Sequence, residues 1–252
     1  MRIQLIGYDF YRNFNPNSKL DLFTQIMNDS DADLILFPGH TLRDEFDTEY
    51  VEPDITNEHS LAVLELERGY PSSCMSTRNE LFLFREGLFE DTFSSQVLAT
   101  ANDLSTGGEI LMGKLLDEIL RRQFVCCGKR ITVLQCGETA LLASAKAEGY
   151  KASFRFKDNA LLNEKFEAIL ASTDIFLNPI HDLQGEQGVM AQRRAALSSN
   201  GRYYFSTCSL NEEMEGKFSS KRIQYACHDG KELNAKPDIF EEDGYVSRIF
   251  EI

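Results

Sequence analysis

The stretch Asp33-Leu34-Ile35-Leu36-Phe37-Pro38-Gly39 constrains the fold more than any other. It is nearly all apolar, too short for a core helix and stopped by Pro-Gly, so it reads as a central strand covered on both faces. A sheet covered on both faces needs further layers, which makes this an α/β chain. Residues 2–8 alternate around Ile3, Leu5 and Ile6 as an earlier strand. Between the two, Leu20, Phe23 and Met27 repeat on one helical face, after an Asn15-Pro16-Asn17-Ser18 turn with Asp21 at capping-box spacing from Ser18. Strand, helix and strand in that order form a βαβ unit.

The second half repeats the theme. Residues 130–135 predict a strand that delivers Cys136-Gly137-Glu138, then a helix over 139–148 and a strand over 151–156. A helix opened by Asp158, a strand over 174–177 stopped by Asn178-Pro179, a helix over 188–199 and a strand over 203–207 come next. Two late segments, 222–227 and 245–250, predict strands closing a sheet edge, separated by a turn at 228–231.

Between the halves the pattern is less regular. Residues 40–56 are acidic and turn-rich, and predict a long surface loop over the carboxyl end of a strand. Residues 57–69 fit either a helix capped by Asn57 or a strand over 61–66. Short strands are expected at 73–77, 81–84 and 96–99, with a turn at Arg85-Glu86-Gly87. Thr106 and Glu109 stand at capping-box spacing before a helix carrying Ile110, Leu111, Leu115, Ile119 and Leu120. With no linker or low-complexity tract, residues 1–252 are expected to form a single domain.

The net charge of −14 argues against nucleic acid and anionic membranes as partners, since both are held by a positive footprint. No run approaches the ~20 apolar residues of a membrane helix, and the opening MRIQLIGYDF lacks the basic head and cleavage site of a secretory signal, so a cytoplasmic protein is expected. Cysteines stand at 74, 126, 127, 136, 208 and 227. In a chain large enough to need no staples they are expected to be free thiols. Cys126 and Cys127 are adjacent and no C-x2-C pair exists, so no metal and no cofactor are expected.

Cys136 sits where a strand gives way to a helix, with glycine immediately after it. A nucleophile on such a turn is lifted out of the sheet, and the backbone N–H groups just beyond it can face a developing oxyanion. The alternative is a buried strand-end cysteine. His40 comes after another central strand, at the end where α/β sheets gather their ligands, and is either a base for Cys136 or a solvent-facing loop residue. Glu138 can orient a ligand or brace the elbow. His181, Asp9, Asn102 and Cys208 are placed to face the same crevice.

The order of these segments resembles the nitrilase, or carbon–nitrogen hydrolase, superfamily over nearly the whole chain. The resemblance is carried by Ala32 to Pro38, by Val133-Leu134-Gln135-Cys136-Gly137-Glu138, by Ser172 to Pro179, and by Arg193 to Asn200 with the strand after it. It implies a four-layer α-β-β-α sandwich, commonly paired as a homodimer, that cleaves amides or nitriles through an acyl-enzyme using a Glu-Lys-Cys triad. By position the nucleophile falls on Cys136. The glutamate slot falls on Gly39, with His40 next in line, the lysine's counterpart is Asn102, and Glu109 matches a second, assisting glutamate. The strand-to-Pro-Gly turn is also similar to that of class I glutamine amidotransferase domains, which are built on one sheet instead of two.

Two functions are compatible with this pattern. One is cysteine-dependent hydrolysis or acyl transfer on a small amide or ester, with Cys136, His40 and Asn102 in a rebuilt site. The other is a catalytically impaired nitrilase-like fold kept for ligand binding or protein association. Glycine can neither accept a proton nor return it, and loss of one oxyanion donor costs ~3 kcal/mol of transition-state stabilisation.

Overall fold

The apolar run around Leu34–Leu36 lies inside a sheet, as its lack of a polar face requires. The computed structural model describes residues 1–8, 16–42, 45–66, 79–90, 94–145, 151–181, 187–209, 223–233, 238–242 and 245–252. The first sheet runs Asp238–Glu242, Tyr245–Glu251, Arg2–Tyr8, Leu34–Leu36, Leu61–Leu66, Glu80–Arg85 and Leu88–Phe89, with Ser94–Ser95 also paired to Glu80–Arg85. Its three central strands, Arg2–Tyr8, Leu34–Leu36 and Leu61–Leu66, are parallel. The second sheet runs Lys231–Glu232, Gln224–His228, Tyr203–Thr207, Ile175–Pro179, Lys129–Val133 and Gln123–Cys126, again with a parallel trio, from Lys129–Val133 to Tyr203–Thr207.

Alternation along the strands sorts their side chains into layers. Leu34, Leu36 and Val63 meet Ile131, Val133, Ile175, Leu177 and Phe205 between the two sheets. Ile35 and Leu64 point the other way, onto Phe23 and Met27 of the helix Pro16–Asp29. Phe176 and Tyr204 pack on Met112, Leu115 and Phe166 from the helices Ala101–Arg121 and Ala160–Ala171. The result is an α-β-β-α sandwich.

Several local expectations are corrected. The acidic stretch expected as a loop holds a helix, Glu45–Val51, and a 3-10 turn, Glu52–Asp54, seated on the core by buried Val51 and Ile55. Residues 61–66 form the strand; pairing with Leu34–Leu36 decides what periodicity left open. The first helix starts at Pro16, ahead of Ser18. The long helix starts at Ala101, where Thr100 and Asp103 make the capping box, and Thr106 to Glu109 lie inside it around a kink at Gly108. No helix comes after Cys136: a 3-10 turn, Glu138–Leu141, leads straight into the strand Leu142–Ala145, which pairs with Lys151–Phe154 and buries Leu141, Leu142 and Phe154 under the outer helices. Asn159 caps the next helix in place of Asp158. Residues 96–99 are not a strand, and 73–77 lie outside the described residues. The two late strands enter different sheets, and neither is at an edge. Among the described residues no helix is long and apolar enough to cross a membrane.

Candidate active site

The strand Leu61–Leu66 is buried along its whole length, yet its fifth residue is Glu65. By parity Glu65 shares the face of Leu61 and Val63, which looks into the space between the sheets. A carboxylate with no exposure there needs a partner, because an isolated buried charge costs several kcal/mol. The partner comes from the other sheet: His181, just past the strand Ile175–Pro179, hydrogen-bonds Glu65 Oε1 through Nε2. Glu65 Oε2 is buried with no hydrogen-bond partner.

Two loops bring these groups together. Gly39 N–H donates to the Ile180 carbonyl at 3.1 Å, tying the end of one parallel strand to the end of another across the sandwich. Gly39 is required there, since a Cβ would stand 2.0 Å from His181 Cδ2 and 2.9 Å from the His181 backbone nitrogen. His40 is next, in a left-handed conformation, φ 58°, with the turn closed by Thr41 Oγ1 donating to the Pro38 carbonyl. Its ring stacks on His181 at 3.9 Å and 18°, and its Nε2 lies 4.0 Å from Glu65 Oε1. His40, Glu65 and His181 thus hold three potential metal-binding atoms within 4.8 Å of one another. Lys19 Nζ reaches the His40 carbonyl and lies 5.7 Å from the Tyr8 ring centre.

We expect Gly39→Ala to push the His181 ring off Glu65, with a loss of about 1–3 kcal/mol, the usual cost of overpacking. Urea denaturation measures it, and an unchanged midpoint would show that His181 moves aside freely.

Cys136 completes the cluster. Its half-buried thiol lies beside the His181 ring, close enough to favour the protonated imidazole, and Cys136 also packs on Ile180, Cys208 and Ile223. Burial alone would lower the His181 pKa and is the largest single influence on it. The charge of Glu65 and the hydrogen bonds to Cys136 and Glu65 together outweigh it and raise the value to about 11. An imidazolium is therefore held between a carboxylate and a thiol. Asn79 Nδ2 lies 3.2 Å from His181 Nε2 and also donates to Gln96 Oε1, while Gln96 Nε2 donates to the Cys136 carbonyl. Elsewhere burial, with Cys127 adding, pushes the Cys126 thiol up to about 12, and burial pushes Cys227 to about 11.

The elbow is braced from beneath. Gly137 adopts φ 84°, and a Cβ there would stand 2.0 Å from the Ala99 carbonyl oxygen. Glu138 and Arg122 form a fully buried ion pair. Glu138 also accepts from the backbone N–H of Val97 and of Gln135, at 2.9 and 2.8 Å, and Arg122 is bound by Ser94 Oγ and the Ser95 carbonyl. Both Glu138 oxygens are thus engaged in bracing the elbow.

Of the residues singled out in the sequence, Cys136, His40 and His181 come together with Cys208 beside them. His40 stacks on His181, and it is the His181 ring that the thiol lies beside. Asn102 is exposed in the first turn of the long helix, and Glu109 is exposed on it beside Gly108. Neither makes a hydrogen bond or ion pair to Cys136, His181 or Glu65. Asp9 lies outside the described residues. Glu65 was missed, although an acid on the inward parity of the run Leu-Ala-Val-Leu-Glu-Leu was a signal available in the sequence.

No family model and no curated protein sequence matches the chain. Solved structures do. A CN-hydrolase superfamily protein from Xanthomonas campestris, with an arsenic adduct in its active site, aligns over 100% of this chain and 90% of its own at TM-score 0.56 and 11% identity. A mutant of the amidase from Nesterenkonia sp. AN1, with the acetamide moiety of fluoroacetamide added covalently at its active site cysteine, aligns over 99% and 90% at 0.57 and 15%. The glutamine-dependent NAD+ synthetase from Acinetobacter baumannii covers 100% of this chain with 46% of its own, at 0.55 and 10%. With two stacked sheets and these neighbours, the chain has the α-β-β-α fold of the carbon–nitrogen hydrolase (nitrilase) superfamily.

Proposed function

We propose that this protein cleaves a small amide or ester, or transfers its acyl group, through a thioester on Cys136, with His181 as acid and base and Glu65 holding His181 in place. The observation that carries this is the placement of the Cys136 thiol beside His181, itself hydrogen-bonded to Glu65, at the joined strand ends of the two sheets. It is the nucleophile, base and orienting group that thiol catalysis needs.

The Cys136 sulfur attacks the substrate carbonyl carbon, and the C=O π pair moves to oxygen. As the tetrahedral intermediate collapses, the C–N or C–O bond breaks and the His181 imidazolium gives its proton to the leaving atom. Water, or another acceptor, then attacks the thioester, loses its proton to His181, and releases the acyl group and the Cys136 thiolate. Glu65 orients His181 through its hydrogen bond at each stage and takes no proton in the balance. The neighbouring amidase's covalent adduct at its active site cysteine is in line with such an intermediate. One observation favours the alternative, ligand binding or association without turnover: neither Gly39 nor Asn102 provides the side chain found at those positions in the family.

The test is alkylation of metal-free protein by iodoacetamide at pH 6, located by peptide mass spectrometry, followed by small amides and esters with the acyl-enzyme sought by intact mass. Cys136 should react at least about tenfold faster than exposed Cys127, because the proposed reaction places an acid–base partner, His181, beside its sulfur. His181→Ala should bring it down to the Cys127 rate. Equal rates in the parent protein would leave the binding role standing.

A further inference from the structure

We propose that His40, His181 and Glu65 form a zinc site, and that zinc and thiol chemistry at this centre exclude one another. The consequence for the thiol rests on the Cys136–His181 proposal above; the binding itself does not.

The donor set selects the ion. Two imidazoles and one carboxylate are a set that zinc accepts with one position left open. Calcium and magnesium need a shell of oxygens that this cluster lacks. The three donor atoms lie within 4.8 Å of one another, and His40 Nε2 is 4.0 Å from Glu65 Oε1. Zinc–ligand bonds of about 2.0–2.2 Å place neighbouring donors roughly 3.3 Å apart, so the atoms must close by an ångström or so. The His181–Glu65 contact runs the other way: these two atoms are hydrogen-bonded directly and must part to admit an ion, zinc taking the place of the bridging proton.

Two further features point to a cation. Glu65 Oε2 is fully buried without a hydrogen-bond partner, an arrangement that costs free energy and that a metal ion relieves. His40 is held in a left-handed backbone conformation that keeps its ring parallel to His181, so both imidazole edges border the same carboxylate. Cys136 does not belong to the three-residue set. Zinc therefore acts on it by withdrawing His181, which leaves the thiol without its proton partner.

The experiment titrates zinc against a chromophoric chelator in the parent protein and in His40→Ala, and tracks Cys136 alkylation by iodoacetamide in each protein with and without zinc. The expected result is one zinc equivalent fewer in His40→Ala. Cys136 labelling in the parent should slow by about tenfold or more, to the Cys127 rate, at a zinc concentration 100 times Kd, where about 99% of sites are filled, while labelling of His40→Ala at that concentration is the same with zinc as without. Equal zinc binding by the two proteins, or equal protection of Cys136, would overturn the site. Rapid metal-free labelling with no zinc bound would also overturn it while leaving the hydrolase proposal intact. Loss of one zinc equivalent in His40→Ala, together with slow metal-free labelling of the parent, would support the site and sink the hydrolase proposal.

Discussion

Glu138→Ala should lower the free energy of unfolding by about 3–5 kcal/mol, the usual cost of breaking a buried ion pair by removing one partner. The glutamate is the hub of the elbow's foundation. Its two oxygens take both terminal nitrogens of Arg122 and the backbone N–H groups of Val97 and Gln135. Truncation leaves the Arg122 guanidinium, which has no exposure, without a counter-charge. Both backbone donors lose their acceptor in the same step. Urea denaturation monitored by circular dichroism measures the loss. The paired change Arg122→Met with Glu138→Leu should recover much of it, because it removes both charges at similar bulk. A cost below about 1 kcal/mol for Glu138→Ala would mean that solvent reaches Arg122.

Glu65→Gln should slow Cys136 alkylation at pH 6 by about tenfold to a hundredfold, and any turnover by about a hundredfold or more, as expected for a disabled acid–base partner. The change keeps shape and an acceptor for His181 Nε2 but removes the charge. Burial, already the largest influence on this histidine, then acts unopposed by Glu65 and favours the neutral ring. A neutral ring has no proton to give the leaving atom and no charge to set against the sulfur, so labelling and turnover both slow. Stability reports the same linkage. The folded His181 pKa, about 11, lies above the reference value of 6.5. Its contribution is therefore complete below 6.5 and is lost as pH rises through 11. Urea midpoints at pH 6 and pH 10 should differ less in Glu65→Gln than in the parent. An unchanged labelling profile would show that Glu65 does not govern the thiol.

Elements were legible in the sequence in proportion to the strength of their periodic signals. The runs at 34–36 and 175–179 are largely apolar and stopped by Pro, and those at 129–133 and 203–207 are rich in β-branched or aromatic residues, so their strands and the sandwich around them were readable. The elbow at Cys136 was readable for the same reason, but the segment beyond it was not. Thr139 to Ala145 is as apolar as a helix face and is used as a 3-10 turn and a strand, because pairing with Lys151–Phe154 overrides local preference. The thiol's partner was assigned to His40 by adjacency to a vacant glutamate slot. That slot is filled in space by His181, and the carboxylate comes from the neighbouring strand at Glu65. Only inter-sheet contact carries that exchange, and no one-dimensional spacing records it.

The hydrogen bond from Gly39 to Ile180 has a corollary for how this site comes to exist. Glu65 and His40 belong to one half of the sandwich, Cys136 and His181 to the other. A chain whose halves have each folded but not yet met contains every one of these side chains but not the cluster. The acyl transfer proposed above would therefore be a property of the joint, absent until the halves dock, and a partly folded chain would not present the assembled site before there is a pocket around it.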